Sequence, residues 1–165
     1  MTGLVNTQPF TNDRLLFMHN GYIGNFNPEY RIKFHKILKA EIQAGINGHT
    51  DSEYLFALLR QEILLNTDMD PVTRLGHYLE QIPKIIDGGT ALLNIIFCDG
   101  SRIYTTRHAV NGQSPSLYYA VNADLFTDAV VVASERLTDA GCWQTVPDHS
   151  LMIISGSTKP EIIAL

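Results

Sequence analysis

Leu15-Leu16-Phe17-Met18-His19-Asn20-Gly21-Tyr22-Ile23-Gly24-Asn25-Phe26 is the stretch on which the reading of this chain turns. An apolar run stops at His19-Asn20-Gly21 and resumes at Tyr22-Ile23. Read locally, Leu15 to Met18 is a short buried strand and Asn20-Gly21 is the turn that ends it, because Asn and Gly both tolerate positive φ. A second reading competes with the first. An Asn side-chain amide followed by a Gly N–H is also a pair of donors suited to a developing oxyanion.

Upstream, Met1 to Asn12 is polar and irregular, so Leu15 to Met18 is expected to be the first element. Downstream, Asn27-Pro28 marks a turn. Tyr30, Phe34, Ile37, Leu38 and Ile42 then recur at helical spacing and predict one helix, stopped by Gly45 and Asn47-Gly48. Thr50-Asp51-Ser52-Glu53 has the form of a capping box, in which Thr50 accepts from the N–H of Glu53 and Glu53 reaches back to that of Thr50. The helix it opens carries Tyr54, Leu55, Phe56, Leu58, Leu59 and Ile63, apolar over so much of its surface that it should be largely buried. Asp70-Pro71 opens a third helix, with a stripe of Val72, Leu75, Leu79, Ile82 and Ile86 and a stop at Asp87-Gly88-Gly89.

From Thr90 the pattern becomes β. Ala91 to Cys98 predicts a strand covered on both faces. Asp99-Gly100 is a hairpin turn, and Arg102 to Thr106 is the return strand. Ser116 to Val121, Ala129 to Ser134, Val146 to Ile154 (interrupted at Pro147-Asp148) and Glu161 to Ala164 complete the set. One strand, three helices and then a run of strands describes a layered α+β domain.

Composition narrows the function. At 165 residues with 45% hydrophobic and 18% charged residues, the chain has the make-up of one globular domain. A net charge of −5 gives no general attraction to phosphate backbones, and Arg31, Lys33, Lys36 and Lys39 lie opposite an apolar stripe as a solvated helix face. No nucleic-acid partner is expected. No apolar run reaches the roughly 20 residues that span a bilayer, and the N-terminus has no signal-peptide pattern, so no membrane partner and a cytoplasmic setting are expected. Cys98 and Cys142 are too few for a disulfide framework, and no Cys/His spacing suits zinc. No motif calls for a metal or an organic cofactor.

Three signals in fixed order carry a resemblance: Asn6-Thr7-Gln8-Pro9-Phe10, then His19-Asn20-Gly21, then Thr50-Asp51-Ser52-Glu53. Together they resemble the glutaminase core of the type 2 glutamine amidotransferases, a branch of the N-terminal-nucleophile hydrolases. Leu93-Asn94-Ile95-Ile96-Phe97 leading into Asp99-Gly100 is similar to that family's central hairpin. Ala133-Ser134-Glu135-Arg136-Leu137, with Trp143 and Val146-Pro147, looks closest to the γ-glutamyl amidohydrolases of ergothioneine biosynthesis. The resemblance covers nearly the whole chain.

The resemblance implies an α/β/β/α sandwich: two stacked, mainly antiparallel sheets flanked by helices. It also implies cleavage of a γ-glutamyl amide by an N-terminal cysteine whose own amine is the base. On this basis Asn20 and Gly21 hold the oxyanion, Asp51 takes the α-ammonium of the substrate, and His19 contributes to the substrate site. Ser134 and Glu135 are candidates to line it.

The implied nucleophile has no counterpart here. Met1-Thr2-Gly3 resembles the tail of a family segment of the form Arg-x-Ala-Thr-Gly, whose Arg and preceding cysteine are absent, so the chain is expected to be the C-terminal portion of such a domain, without its N-terminal strands. Cys98 ends an apolar strand and Cys142 lacks the amine, so neither is expected to substitute. The expected partners are a small γ-glutamyl substrate and either a missing upstream segment or a complementing chain. A non-catalytic glutamyl-binding remnant and a generic α+β domain are the readings from other classes.

Overall fold

In the computed structural model, residues 3–13, 15–123, 126–139, 141–157 and 159–165 are described. Met1-Thr2 of the motif above lies outside them. After a 3-10 turn at Leu4–Asn6 come β1 (Phe10–Asn12) and β2 (Leu15–Ile23), then four helices: α1 (Pro28–Ile37), α2 (Ala40–Gln43), α3 (Asp51–Leu65) and α4 (Pro71–Ile86). The rest is β: β3 (Ala91–Cys98), β4 (Ile103–Arg107), β5 (Ala109–Val110), β6 (Tyr118–Ala123), β7 (Phe126–Ala133), β8 (Gln144–Thr145), β9 (Ser150–Ile154) and β10 (Glu161–Ala164).

The strands form two antiparallel sheets. The larger has the order β1-β2-β3-β4-β9-β10, with β5 on β3, and the smaller has β7-β6-β8. One face of the larger sheet packs on the helices through Phe17, Ile23, Leu93, Ile95, Leu151 and Ile153, against Leu55, Leu58, Leu59 and Ile82. The smaller sheet lies on the opposite face, where Leu117, Tyr119 and Val146 meet Met152 and Ile154. The result is the mixed α+β fold with two stacked antiparallel sheets that the resemblance implies.

The structure corrects several expectations. Asn20-Gly21 is not a turn. β2 pairs with β3 without interruption from Leu16↔Cys98 to Ile23↔Ala91, so the pair sits in mid-strand. The local turn signal is overridden by eight residues of ladder and by the burial of Phe17 and Ile23. Nor is Leu15 the start of the first element. β1 precedes it, held by Phe10, whose ring stacks on Phe56 at 6.2 Å. A three-residue strand has no periodicity to read.

The helix expected over Tyr30 to Ile42 is two helices, α1 and α2. It breaks at Leu38-Lys39, where side chains replace the helical bonds: Gln61 Oε1 accepts from Lys39 N at 2.6 Å, and Gln43 Nε2 donates to Leu38 O at 2.6 Å. Asn27 caps α1 through the N–H groups of Glu29 and Tyr30, with Pro28 at its start, so Asn27-Pro28 opens a helix. β3 is closed on its helix-facing side at Ala91, Leu93, Ile95 and Phe97, while its outer face is closed fully only at Asn94. The strand buried along its whole length is β9, sandwiched between the helices and the smaller sheet. The smaller sheet stops short of the other edge, so Leu16, Met18 and Tyr22 on the outer face of β2 are exposed.

Candidate functional site

The site is built on the free side of β2. Leu93 N donates to His108 O at 2.8 Å and Ile95 N to Thr106 Oγ1 at 3.2 Å, so the odd-numbered N–H groups of β3 point away from β2. Their register partners, Gly21 for Leu93 and His19 for Ile95, therefore form non-hydrogen-bonded pairs and direct their own N–H groups to the open edge. Ile23 follows the same alternation. Gln8 occupies one of these edge groups, its Oε1 accepting from His19 N while its Nε2 donates to His19 O at 3.0 Å. Asp51 occupies another, Oδ2 accepting from Ile23 N at 2.7 Å. The Gly21 N–H lies between these two anchors and faces outward, next to the exposed side chain of Asn20.

Gly21 is required by close approach. A Cβ at this position would lie 1.9 Å from Leu92 O and 2.8 Å from His19 Nε2. His19 is itself fixed by that carbonyl: Nε2 is 2.8 Å from Leu92 O, and Nδ1 is 3.0 Å from Ser52 Oγ. A carbonyl only accepts, so Nε2 carries the proton and the Ser52 hydroxyl donates to Nδ1. Burial lowers the His19 pKa, outweighing the Leu92 carbonyl and the Asp51 charge, which raise it. His19 is thus a neutral, internally bonded ring, 6% exposed, that ties β2 to both β3 and the start of α3.

Asp51 is the first residue of α3, where the helix end favours a carboxylate. Its Oδ1 accepts from Ser52 N at 2.8 Å and its Oδ2 from Ile23 N. Each carboxylate oxygen has two lone pairs, so capacity remains for a cation. Only half of the expected capping box forms. Thr50 Oγ1 accepts from Glu53 N at 3.3 Å, but the buried Glu53 carboxylate takes Asn47 N and Gly48 N, each at 2.7 Å. Two loop N–H groups offer it more than the single N–H of Thr50. Asn6 Oδ1 accepts from His49 N at 3.3 Å on the same loop. A Cβ on Gly48 would meet Asn6 Oδ1 at 2.2 Å and Glu53 Oε2 at 2.6 Å. The three motifs therefore meet in space: Asn6 braces the loop before α3, Gln8 clips β2, and Asp51 ties α3 to β2.

Beside Asn20 runs a groove of about 220 Å³ between the two sheets, floored by β2 and β3 and roofed by Leu117 and the end of β7 at Ala133-Ser134. Ser134 is at this groove, and its carbonyl accepts from Ser116 Oγ at 2.7 Å; Glu135 is exposed outside the lining residues. Cys98 pairs with Leu16, four residues along the strand from Asn20, a distance of about 13 Å. Its sulfur accepts from Gly100 N at 3.3 Å. Cys142 packs beside Trp143 in a separate small cluster. No disulfide joins the two. Among the described residues there is no group of three or more His, Cys, Asp or Glu that could hold a metal ion, and no helix is long and apolar enough to cross a membrane.

The site thus brings together Asn20, Gly21, Asp51 and the internally bonded His19. The sequence does not single out Gln8, Ser52 or Asn94: Gln8 bonds the main chain of His19, Ser52 bonds the His19 ring, and Asn94 pairs with Asn20 across the strands. The only signal for Gln8 was its place inside the Asn-x-x-Pro-aromatic segment. Chemically, the arrangement offers an amide donor and a main-chain donor for a carbonyl oxygen. The carboxylate hydrogen-bonds to the strand three residues from Asn20, about 10 Å along it.

No family model matches the chain. It is 31% identical to a probable glutamine amidotransferase of Saccharomyces cerevisiae, DUG3, over an alignment that covers 93% of this chain and 53% of that protein. The chain thus spans about half the length of the curated relative it matches. Among solved structures, it is similar to a glutamine aminotransferase class-II domain protein of Silicibacter pomeroyi, with a TM-score of 0.81 and 27% identity over 99% of this chain and 72% of that one. A predicted glutamine amidotransferase of Pseudomonas aeruginosa shares the fold, with a TM-score of 0.65 and 24% identity over 99% of this chain and 66% of that one. In sequence and fold together, the chain is similar to glutamine amidotransferases.

Proposed function

We propose that this chain supplies the oxyanion hole and the glutamyl-binding side of a γ-glutamyl amide hydrolase. The outward Gly21 N–H, held beside the Asn20 amide between Gln8 and Asp51, carries the reading. Asn20 Nδ2 and Gly21 N–H take the carbonyl oxygen of the γ-amide, and Asp51 takes the α-ammonium. An extended glutamyl chain with a hydrogen bond of about 3 Å at each end bridges that interval. His19 serves the substrate site by holding Gly21, Leu92 and Ser52 in register. As a thiolate attacks the carbonyl carbon, the C=O electrons move onto the oxygen, where two fixed donors already wait; one such donor is worth about 2.7–4 kcal/mol of transition-state stabilisation. The amine leaves with a proton, and water then releases glutamate from the thioester.

The thiol and its amine base come from outside the described residues, on an upstream segment of the same polypeptide or on a complementing chain. The exposed outer face at Leu16 and Met18, the apolar groove these residues share with Pro9, Ile96 and Ile103, and the free edge of β7 support a strand-bearing partner at this place. The chemistry needs a reduced thiol and so suits a cytoplasmic setting. The resemblance of Ala133-Ser134-Glu135-Arg136-Leu137 points to the ergothioneine-type γ-glutamyl amides as the substrate class, and Ala133 and Ser134 line the groove.

Calorimetric titration with L-glutamine tests the reading. The chain binds it saturably, and Asp51→Ala weakens binding at least tenfold. Binding that is absent, or unchanged in Asp51→Ala, contradicts the assignment. Ammonia release after adding the thiol-bearing segment separates a hydrolase from a glutamyl-binding remnant, which binds but never turns over.

A further inference from the structure

Asn94 sits directly opposite Asn20 in the β2–β3 register, so both side chains leave the sheet on the same face, and both line the groove beside the proposed site. Asn94 is 2% exposed. Its Nδ2 donates to Ser116 O at 2.8 Å, and a carbonyl can only accept, which fixes the amide with its oxygen as the other end. That Oδ1 is buried and has no hydrogen-bond partner. A buried, unpaired acceptor costs stability and asks for an explanation. Here the position supplies one: it lies one strand inward from the two donors assigned to a carbonyl oxygen.

Resting on the reading given above, we propose that Asn94 reads the nitrogen side of the same γ-carboxamide, with Oδ1 accepting its N–H while Asn20 and Gly21 hold its oxygen. The two strands then present complementary halves, donors from β2 and an acceptor from β3. Ser116 holds Asn94 in this orientation, and its hydroxyl is tied in turn to Ser134 O. The consequence is selectivity. An amide satisfies both halves. A γ-ester, of nearly the same shape, has no N–H and leaves Oδ1 unpaired, and a site built to hydrogen-bond a donor rejects the analogue lacking it far more strongly than a change of size would.

The test is calorimetric titration of the chain with L-glutamine and with the γ-methyl ester of L-glutamate, repeated on Asn94→Ala after circular dichroism shows that it is folded. The unmodified chain is expected to bind the amide at least tenfold more tightly than the ester, and Asn94→Ala to bring the two within about twofold. Equal affinities in the unmodified chain overturn the role of Asn94, and this comparison needs no variant to fold. A preference that survives in folded Asn94→Ala overturns it equally. If neither ligand binds, the glutamyl site itself is wrong. If both bind and weaken together in Asp51→Ala, the glutamyl site stands whatever Asn94 does.

Discussion

Replacing Gly21 with alanine probes the geometry on which the site depends. The added methyl carbon would lie 1.9 Å from Leu92 O, more than 1 Å inside any ordinary contact, and 2.8 Å from His19 Nε2. Neither neighbour is a flexible side-chain end. Leu92 O is ladder backbone, and His19 is bonded at both nitrogens. β2 and β3 must separate, or His19 must leave Leu92. Overpacking of this kind costs about 1–3 kcal/mol, and weakening a buried hydrogen bond adds about 1 kcal/mol. The lower chain entropy of unfolded alanine returns about 0.4–1 kcal/mol. The net loss is about 1–3 kcal/mol, or a fall in Tm of about 2–12 °C for a chain of this size. Gly76 is the internal control. It lies within α4, with nothing within 4 Å of an added Cβ, so Gly76→Ala should stabilise by about 0.5–1 kcal/mol. Urea unfolding of the two variants beside the parent measures both. A Gly21→Ala variant as stable as the parent would refute the close approach, and with it the constraint that fixes the Gly21 N–H.

His19 makes stability depend on pH in a definite direction. Its folded pKa lies below the ordinary 6.5, so the unfolded chain takes up the proton first as pH falls. The stability it contributes is present above 6.5 and drains below it, at up to about 1.4 kcal/mol per pH unit. His108 is shifted the same way. His19→Gln should therefore flatten, without abolishing, the loss of stability between pH 6.5 and 5; parallel slopes would contradict the assignment. At the loop before α3, Glu53→Ala removes two charge-assisted acceptors and should cost about 2–4 kcal/mol in thermal unfolding. Glu53→Gln keeps one carbonyl oxygen and should cost clearly less. Equal losses would mean that Asn47 and Gly48 do not rely on the carboxylate.

The elements that could be read from the sequence were those whose signals are local and repeated. Asp70 caps α4 through Val72 N and Thr73 N as expected, Asp99 closes its turn through Ser101 N and Arg102 N, and Glu161 to Ala164 is β10 to the residue. The readings that failed depended on distant partners. Asn20-Gly21 has the composition of a turn, but whether a strand ends there is decided by β3, whose partners Asn94 and Leu93 are far away in sequence. The break between α1 and α2 is decided by Gln61 from α3. The Glu53 carboxylate takes two loop N–H groups, those of Asn47 and Gly48, in place of the single N–H of Thr50. In the site, Asn20, Gly21 and Asp51 were legible through the order of motifs. The geometry that links them was not, because it passes through the main chain at Ile23 and His19 and through Gln8, whose role no spacing rule describes. What remains of the opening stretch is its proposed chemistry: the Asn20 amide and the Gly21 N–H are adjacent, but on an unbroken strand and not at a turn.

In the proposed function, the Gly21 N–H and the Asn20 amide receive the γ-carbonyl oxygen of a glutamyl amide anchored at Asp51. The most direct measurement is an amide-resolved NMR titration of the chain with L-glutamine, following the backbone resonance of Gly21 and the side-chain resonances of Asn20. Both are expected to move and saturate together, and both to stay still in Asp51→Ala. Saturable binding that leaves Gly21 unmoved, or an unchanged response in Asp51→Ala, would contradict the proposed function.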